Sequence, residues 1–236
     1  MLSIIIPTLN EEDYLPRLLH SIKKQNFKDY EIIVADAGSK DNTLEIAKKY
    51  DCIIVPGGLP AKGRNNGAKV AKGDLLFFLD ADTILANNFL ETSFKEFNSR
   101  KIDIASFCLR PYPEKKISYF LVNVFYNKMI VALEKIWPYS AVGIMVEKEL
   151  FNKLNGYNED IRLSEDYDLG RRAVKYGKFG IIKSTEILFS DRRFRKDGWI
   201  KTTSKLILSE LHNIFIGPVK SDIFNYKFNH YKDKEV

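Results

Sequence analysis

The apolar and polar positions of the first hundred residues fall into short runs that switch between a strand period and a helix period. Leu2 to Ile6 is a β-branched run stopped by Pro7-Thr8-Leu9-Asn10, a strand entering a turn. Between Asn10 and Asn26, Leu15, Leu18, Leu19 and Ile22 recur at helical spacing. Glu31 to Ala35 predicts a second strand, ended by Asp36-Ala37-Gly38-Ser39. Asp41-Asn42-Thr43 opens a helix carrying Leu44, Ile46 and Ala47. Cys52 to Val55 predicts a third strand, broken by Pro56-Gly57-Gly58, and residues 63–72 a further helix. The run from Leu75 to Leu79 then ends abruptly in Asp80-Ala81-Asp82-Thr83. A continuous apolar stretch of this kind reads as a strand covered on both faces. Strands alternating with helices predict an α/β fold, with a mainly parallel, Rossmann-like central sheet flanked by helices.

Past residue 100 the pattern changes. Ile102 to Leu109 predicts a strand. Ile117 to Trp137 is a long helical pattern, dense in Phe, Tyr, Val and Leu, whose polar stripe is so narrow that it is either a core helix or an interfacial one lying against a lipid or other apolar partner. Ala141 to Val146 predicts a strand, Phe151 to Tyr157 a turn, and Ser164-Glu165-Asp166 the start of a helix, with Ser164 as its cap. A basic cluster, Arg192-Arg193-Phe194-Arg195-Lys196, follows another predicted strand. Trp199 to Ile216 then predicts a helix with apolar residues at 200, 207, 211, 214 and 215. Residues from Asp222 onward carry no readable pattern.

Charge and cysteine content narrow the partners. The formal net charge is +6, and residues 192–236 hold ten Lys or Arg against five Asp or Glu, so nearly all the excess sits in that stretch. A basic carboxyl-terminal extension of this kind predicts an anionic partner, and no nucleic-acid-binding motif accompanies it, so an acidic membrane surface is expected over nucleic acid. A second copy of the chain is the other candidate partner for that helix. The two cysteines have neither disulfide nor metal-site spacing, and the amino-terminal run lacks the basic start of a signal peptide. Together with the absence of an uncharged apolar stretch of membrane-spanning length, these point to a cytoplasmic protein, peripheral to the membrane if it touches one.

The candidate chemistry gathers at strand ends. In α/β sheets ligands bind in the crevice beyond the carboxyl ends of the strands, which is where Asp36, Asp80 and Asp82 fall, with Glu11 close after the first strand. Asp82-Thr83 could simply cap the next helix. A pair of carboxylates beside an apolar strand also suits a divalent cation with oxygen ligands that holds substrate phosphates. Lys62 and Arg64, in what reads as a loop at Ala61 to Gly67, offer charge to a diphosphate. Glu165 and Asp166 lie at a helix start, where the dipole favours ionised carboxylates, and an ionised carboxylate can act as a general base toward an acceptor hydroxyl.

The segments Ile4-Ile5-Ile6-Pro7-Thr8-Leu9-Asn10-Glu11, Glu31 to Thr43, Arg64-Asn65 and Asp80-Ala81-Asp82 together resemble the family 2 glycosyltransferases. The resemblance covers about residues 1–190. It implies a GT-A nucleotide-sugar-binding fold as the catalytic domain, with a nucleotide half of about 1–100 and an acceptor half of about 101–190, and residues 191–236 as a helical extension. It further implies that Pro7, Thr8, Leu9 and Glu11 line the nucleotide pocket and that Asp36 and Gly38 contact the base. Asp80 and Ala81 would meet the ribose or metal region, and Asp82, with Asp80, would ligate Mg2+ or Mn2+. Arg64 and Arg193 would face the diphosphate, and Asp166, beside Glu165, would be the base. Ala37 departs from the family pattern, in which many members carry a second Asp before Gly-Ser.

The implied reaction is an inverting transfer from a nucleotide-diphosphate sugar, a UDP-sugar before a GDP-sugar, to a hydroxyl or lipid phosphate of a sugar, lipid or other small acceptor. A nucleotidyltransferase would need a Gly-rich loop after the first strand, and an oxidoreductase a Gly-x-Gly-x-x-Gly; neither is present. An inactive sugar- or membrane-binding scaffold would be marked by loss of a key acid, yet Asp36, Asp80, Asp82 and Asp166 are all there.

Overall fold

The computed structural model describes residues 1–224 except 114, 141 and 222, and gives only the backbone of residues 199, 200, 206, 207, 210 and 214. The amino-terminal apolar run becomes strand β1 (Leu2–Thr8), with parallel partners on both sides, β2 (Tyr30–Asp36) and β4 (Leu75–Phe78). Strand β3 (Ile53–Pro56) pairs in parallel outside β2. The register sets Thr8 beside Asp36, and the amide of Leu79 donates to the carbonyl of Ile5, so the carboxyl ends of β1, β2 and β4 share one rim.

Beyond β4 the sheet becomes mixed. Strand β7 (Ile144–Glu147) runs antiparallel to β4, and β6 (Ile104–Tyr112) antiparallel to β7. Strand β8 (Phe179–Ser190) is parallel to β6, and the short β5 (Thr83–Leu85) closes the edge antiparallel to β8. The whole order is β3-β2-β1-β4-β7-β6-β8-β5. The expected parallel arrangement therefore describes the nucleotide half, while the second half returns on itself. β5 was not anticipated: Asp82-Thr83 leads into this strand and caps no helix. The next helix, α4 (Phe89–Ser99), starts after Asn88.

Alternation along the strands builds two cores. Leu2, Ile4, Ile6, Ile32, Val34 and Phe77 point to one face, where Leu15, Leu18, Leu19 and Ile22 of α1 (Leu15–Lys23), Ala47 of α2 (Thr43–Lys49) and Phe89 and Phe97 of α4 meet them. Ile5, Ile33, Ala35, Leu76 and Phe78 point to the other. There they meet Ala61 and Ala68 of α3 (Pro60–Val70), Ile130, Phe151 of α7 (Lys148–Lys153) and Leu169 of α8 (Glu165–Ala173). Each large apolar side chain so covered contributes about 1.5–3 kcal/mol of transfer free energy.

Helix α3 starts three residues earlier than expected, because Pro60 fits its first turn. Arg64 therefore lies inside a helix and not in a loop. The glycines that read as loop signals allow a close approach: a Cβ at Gly67 would sit 2.4 Å from Cγ2 of Ile5.

The long apolar pattern forms helix α5 (Lys116–Val122), a π-helical turn at Asn123–Asn127 and α6 (Lys128–Leu133) in succession. The chain then folds α9 (Arg192–Asp197) and α10 (Trp199–Phe215). The expected apolar side chains at 200, 207 and 214, the strand residue Ala141 and residues 225–236 lie outside the described residues. No described helix is long and apolar enough to cross a membrane.

Candidate active site

The loops after β1 and β2 are knitted together by short polar side chains. Asp36 accepts hydrogen bonds at Oδ1 from the hydroxyls of Thr8 (3.0 Å) and Ser39 (2.5 Å), and at Oδ2 from the amides of Gly38 and Ser39 (2.9 Å each). Asn10, in a left-handed conformation (φ 53°), donates its amide to Ser39 Oγ and accepts from the amide of Lys40. The amide of Glu11 donates to Thr43 Oγ1 at 2.8 Å. A carboxylate offers about four acceptor directions, and those of Asp36 are taken. It shapes the loop that carries Gly38.

Arg64 is the centre of a first charge cluster. Its Nη1 donates to Glu165 Oε1 at 2.5 Å, its Nη2 to Asp80 Oδ1 at 2.7 Å, and Asp166 Oδ2 lies 3.7 Å from Nη2. The guanidinium also lies over the Tyr157 ring, 5.4 Å from its centroid. Tyr157 donates its hydroxyl to Asp166 Oδ1 at 2.9 Å and is itself clipped at both its amide and its carbonyl by the Asn65 side chain. Helix α3 of the nucleotide half thereby holds the acidic start of α8.

Desolvation is the main influence on Asp166, raising its carboxyl from 3.8 to about 7; Arg64 lowers it, and Glu165 and Asp80 raise it further. The expectation that the helix dipole would keep this acid firmly ionised is therefore corrected: burial among like charges outweighs a dipole worth at most about 2 kcal/mol. Ser164 stands at the cap position with φ 65°, but its side chain makes no capping hydrogen bond.

A second cluster forms around Arg192. Its Nη1 and Nη2 donate to the two oxygens of Glu11 at 3.0 and 2.8 Å, and its Nε lies 3.0 Å from Asp82 Oδ2. The guanidinium stacks on Tyr14 at 4.3 Å from the ring centroid. Even so, desolvation raises Glu11 from 4.5 to about 7 and pushes Asp82 upward, with Arg192 working against both shifts. Arg193 also lowers Asp82, though less strongly than Arg192. Sequence reasoning chose Arg193 from the basic cluster and missed Arg192. The missing signal was the pairing of β5 with β8: the amide of Ser190 donates to the carbonyl of Asp82, which puts the residue two positions on beside the Asp82 side chain.

The sequence profile described as Glycosyl transferase family 2 matches residues 3–154. This chain is a family 2 glycosyltransferase. Its relatives include the glycosyltransferase GlyG of Streptococcus pneumoniae, 24% identical over 216 residues, which span 81% of this chain and 71% of the relative. An uncharacterised glycosyltransferase of Haemophilus influenzae is 27% identical over 198 residues, or 80% and 67% of the two chains. Among solved structures, Staphylococcus aureus TarS 1–349 overlays with a TM-score of 0.68 at 19% identity, covering 91% of this chain and 72% of that one. The mannosyltransferase PcManGT of Pyrobaculum calidifontis, solved with GDP-Man and Mn2+, overlays with a TM-score of 0.74 at 18% identity, covering 90% and 63%. These overlays establish the GT-A fold.

The glycosyltransferase brings Glu11, Asp80, Asp82, Arg64, Glu165 and Asp166 to one rim in two clusters. Pro7 and Thr8 end β1, Leu9 and Gly38 lie in the loops that follow β1 and β2, and Ala81 is buried between the two acids of the Asp-x-Asp segment. Asp80 and Asp82 do not converge on one point: Asp80 pairs with Arg64 and Asp82 with Arg192. Among the described residues no group of three His, Cys, Asp or Glu side chains is arranged to hold a metal. The donor chemistry nevertheless fits a hard divalent cation, since all the donors are carboxylate oxygens. Burial raises Glu11 and Asp82 even with the Arg192 guanidinium beside them.

Proposed function

We propose that this glycosyltransferase is an inverting enzyme that moves a sugar from a nucleotide-diphosphate donor to an acceptor hydroxyl by a single displacement. The observation that carries the reading is the placement of Asp166. It is a buried carboxylate titrating near neutrality, linked through Arg64 to Asp80 on the donor rim. A general base is most effective when its pKa lies near the working pH. Asp166 takes the proton of the acceptor hydroxyl as that oxygen bonds to the anomeric carbon, and the bond to the diphosphate breaks on the opposite face with its electron pair. Tyr157 and Arg64 fix the direction of the carboxylate, and Glu165 counterbalances Arg64.

Asp82 and Glu11 would hold Mg2+ or Mn2+ together with the donor diphosphate; the cation would stabilise the charge of the leaving nucleoside diphosphate. Arg192, with Arg193 behind it, would then be free to face the phosphates. Arg64, engaged with three acids, is better suited to positioning than to phosphate binding. A UDP-sugar is favoured over a GDP-sugar. Over 110 aligned residues, 41% of this chain and 34% of the relative, the sequence is 37% identical to the Staphylococcus aureus poly(ribitol-phosphate) beta-N-acetylglucosaminyltransferase TarP, and TarS has been solved with UDP-GlcNAc. The free thiols of Cys52 and Cys108 suit a reducing, cytoplasmic compartment.

Thermal unfolding against a panel of nucleoside diphosphates and nucleotide sugars, with and without Mn2+, tests the proposal, because a ligand bound only by the folded form raises Tm. A metal-dependent rise with UDP compounds, absent in Asp82→Ala, is expected. No rise with any nucleotide would sink it.

A further inference from the structure

The helical stretch between β6 and β7 is apolar on two opposite faces. Its inner face is fixed: Ser118, Asn127 and Ile130 are buried, and the Asn127 amide clamps the backbone of Leu109, donating to its carbonyl at 2.9 Å and accepting from its N–H at 2.8 Å. On its outer face Ile117, Phe120, Leu121 and Phe125 keep 75%, 61%, 38% and 67% of their surface exposed, and Ile136 just past its end keeps 79%. Phe120 and Leu121 lie three and four positions after Ile117, and Phe125 four after Leu121, so these four form a stripe along one side, with Ile136 beyond the end of the helix. A helix apolar all round that is not buried has a second apolar neighbour to meet.

Charge selects that neighbour. From Lys115 to Leu133 the sequence contains no acid, while Lys115, Lys116 and Lys128 are exposed beside the stripe. The next acid, Glu134, is engaged by Arg100 and Lys183. Two copies of the chain meeting face to face through this stripe would bring Lys115, Lys116 and Lys128 of each together across the two-fold axis, against one acid beside them in the sequence, Glu114, which lies outside the described residues. A bilayer with acidic headgroups takes the apolar side chains at its acyl boundary and the lysines at its surface.

We propose that the outer face of this helical stretch, with Phe120 and Phe125 at its centre, docks the enzyme on an anionic lipid surface. The same stretch leads directly to the acceptor side. Trp137 and Tyr139, just beyond it, pack on Tyr167 of α8, the neighbour of Asp166, with ring centroids 6.4 and 6.0 Å from that of Tyr167. Docking here sets the base close to the interface and fits a lipid-borne acceptor. That consequence rests on the proposed role of Asp166; the docking itself does not.

Cosedimentation of the full chain with vesicles tests it without any sugar transfer, so its failure is separable from failure of the transferase reading. The wild type should bind vesicles of equal parts phosphatidylglycerol and phosphatidylcholine and ignore pure phosphatidylcholine. The double variant Phe120→Ser/Phe125→Ser should lose at least tenfold in binding, while its Tm and its nucleotide-induced Tm rise stay unchanged. Lys115→Gln and Lys116→Gln should each weaken binding by about fivefold, the factor given by ~1 kcal/mol per basic residue at an acidic surface. Three results would overturn the proposal. The first is a wild type that does not sediment with anionic vesicles. The second is binding that survives Phe120→Ser/Phe125→Ser yet vanishes in Leu208→Ser/Leu211→Ser on α10. The third is a dimer, seen by light scattering, that Phe120→Ser/Phe125→Ser dissolves, with no lipid binding.

Discussion

The two arginine clusters of the rim use the same chemistry under different mechanical conditions. Arg64 sits in the middle of an eleven-residue helix packed against β1 and β2, keeps 5% of its side chain exposed, and joins acids from two halves of the chain. Arg192 is the first residue of a six-residue helix that contains no buried residue, its own side chain keeps 13% exposure, and Asp82, one of the acids it holds, keeps 25%. A guanidinium locked among carboxylates inside a core is part of the framework. One carried on a short surface helix can leave its partners without disturbing the core. The first cluster therefore belongs to positioning and the second to exchange, in which incoming metal and phosphate take over what Arg192 holds.

The sharpest test of the first cluster is Asp166→Asn. It keeps the shape and removes the base, so the transfer rate to a hydroxyl acceptor should fall by about 10²–10⁴ with the nucleotide-induced Tm rise intact. If the acceptor is a lipid phosphate, which is ionised already, the loss should be far smaller. Next in size, Arg64→Met strands Glu165, Asp80 and Asp166 and should cost about 3–5 kcal/mol in denaturant unfolding, as removal of one partner of a buried ion pair does. The contrast between the clusters collapses if Arg192→Met destabilises equally.

A pH series probes both clusters. Asp166 and Glu11 have their folded pKa raised from 3.8 and 4.5 to about 7, so the folded protein binds the extra protons and stability should fall as pH rises from about 4 to about 7, then level off. Asp166→Asn should remove part of that slope, and Asp166→Asn/Glu11→Gln most of it. The smallest effect belongs to Arg192→Ala. It should destabilise by less than Arg64→Met, because Arg192 and Asp82 keep 13% and 25% of their side chains exposed where Arg64 keeps 5%, and it should raise the affinity for Mn2+ alone while lowering that for the complete donor. Calorimetric titration of metal, then of nucleotide with metal, separates the two.

Much of this was legible in the residues. Apolar runs ending in Asp36 and in Asp80-Ala81-Asp82 announced strands that deliver acids to one rim, and the structure puts them there. Asp166 was recognisable from its place at a helix start, but its titration was misjudged because burial is a tertiary property and a helix terminus is a local one. Arg192 could not be told from Arg193 or Arg195, since four basic residues in five positions give no clue to which one a strand pairing turns inward. β5 was hidden for a related reason: three residues are too few to show a period. Asp36 was readable as important but not as saturated, because its four donors come from two separate loops.

The bond between Arg64 and Glu165 joins residues 101 positions apart. Its consequence concerns how the molecule is made. A chain emerging from the ribosome as far as residue 154, where the family match ends, already holds Arg64 and Asp80 but not the acids of α8. Until Tyr157 and α8 arrive, Arg64 lacks Glu165, Asp166 and the ring that covers its guanidinium, so the catalytic edge of the nucleotide half is incomplete. Completing the site and completing the fold are then one event, and a fragment that cannot catalyse is also one that is discouraged from persisting.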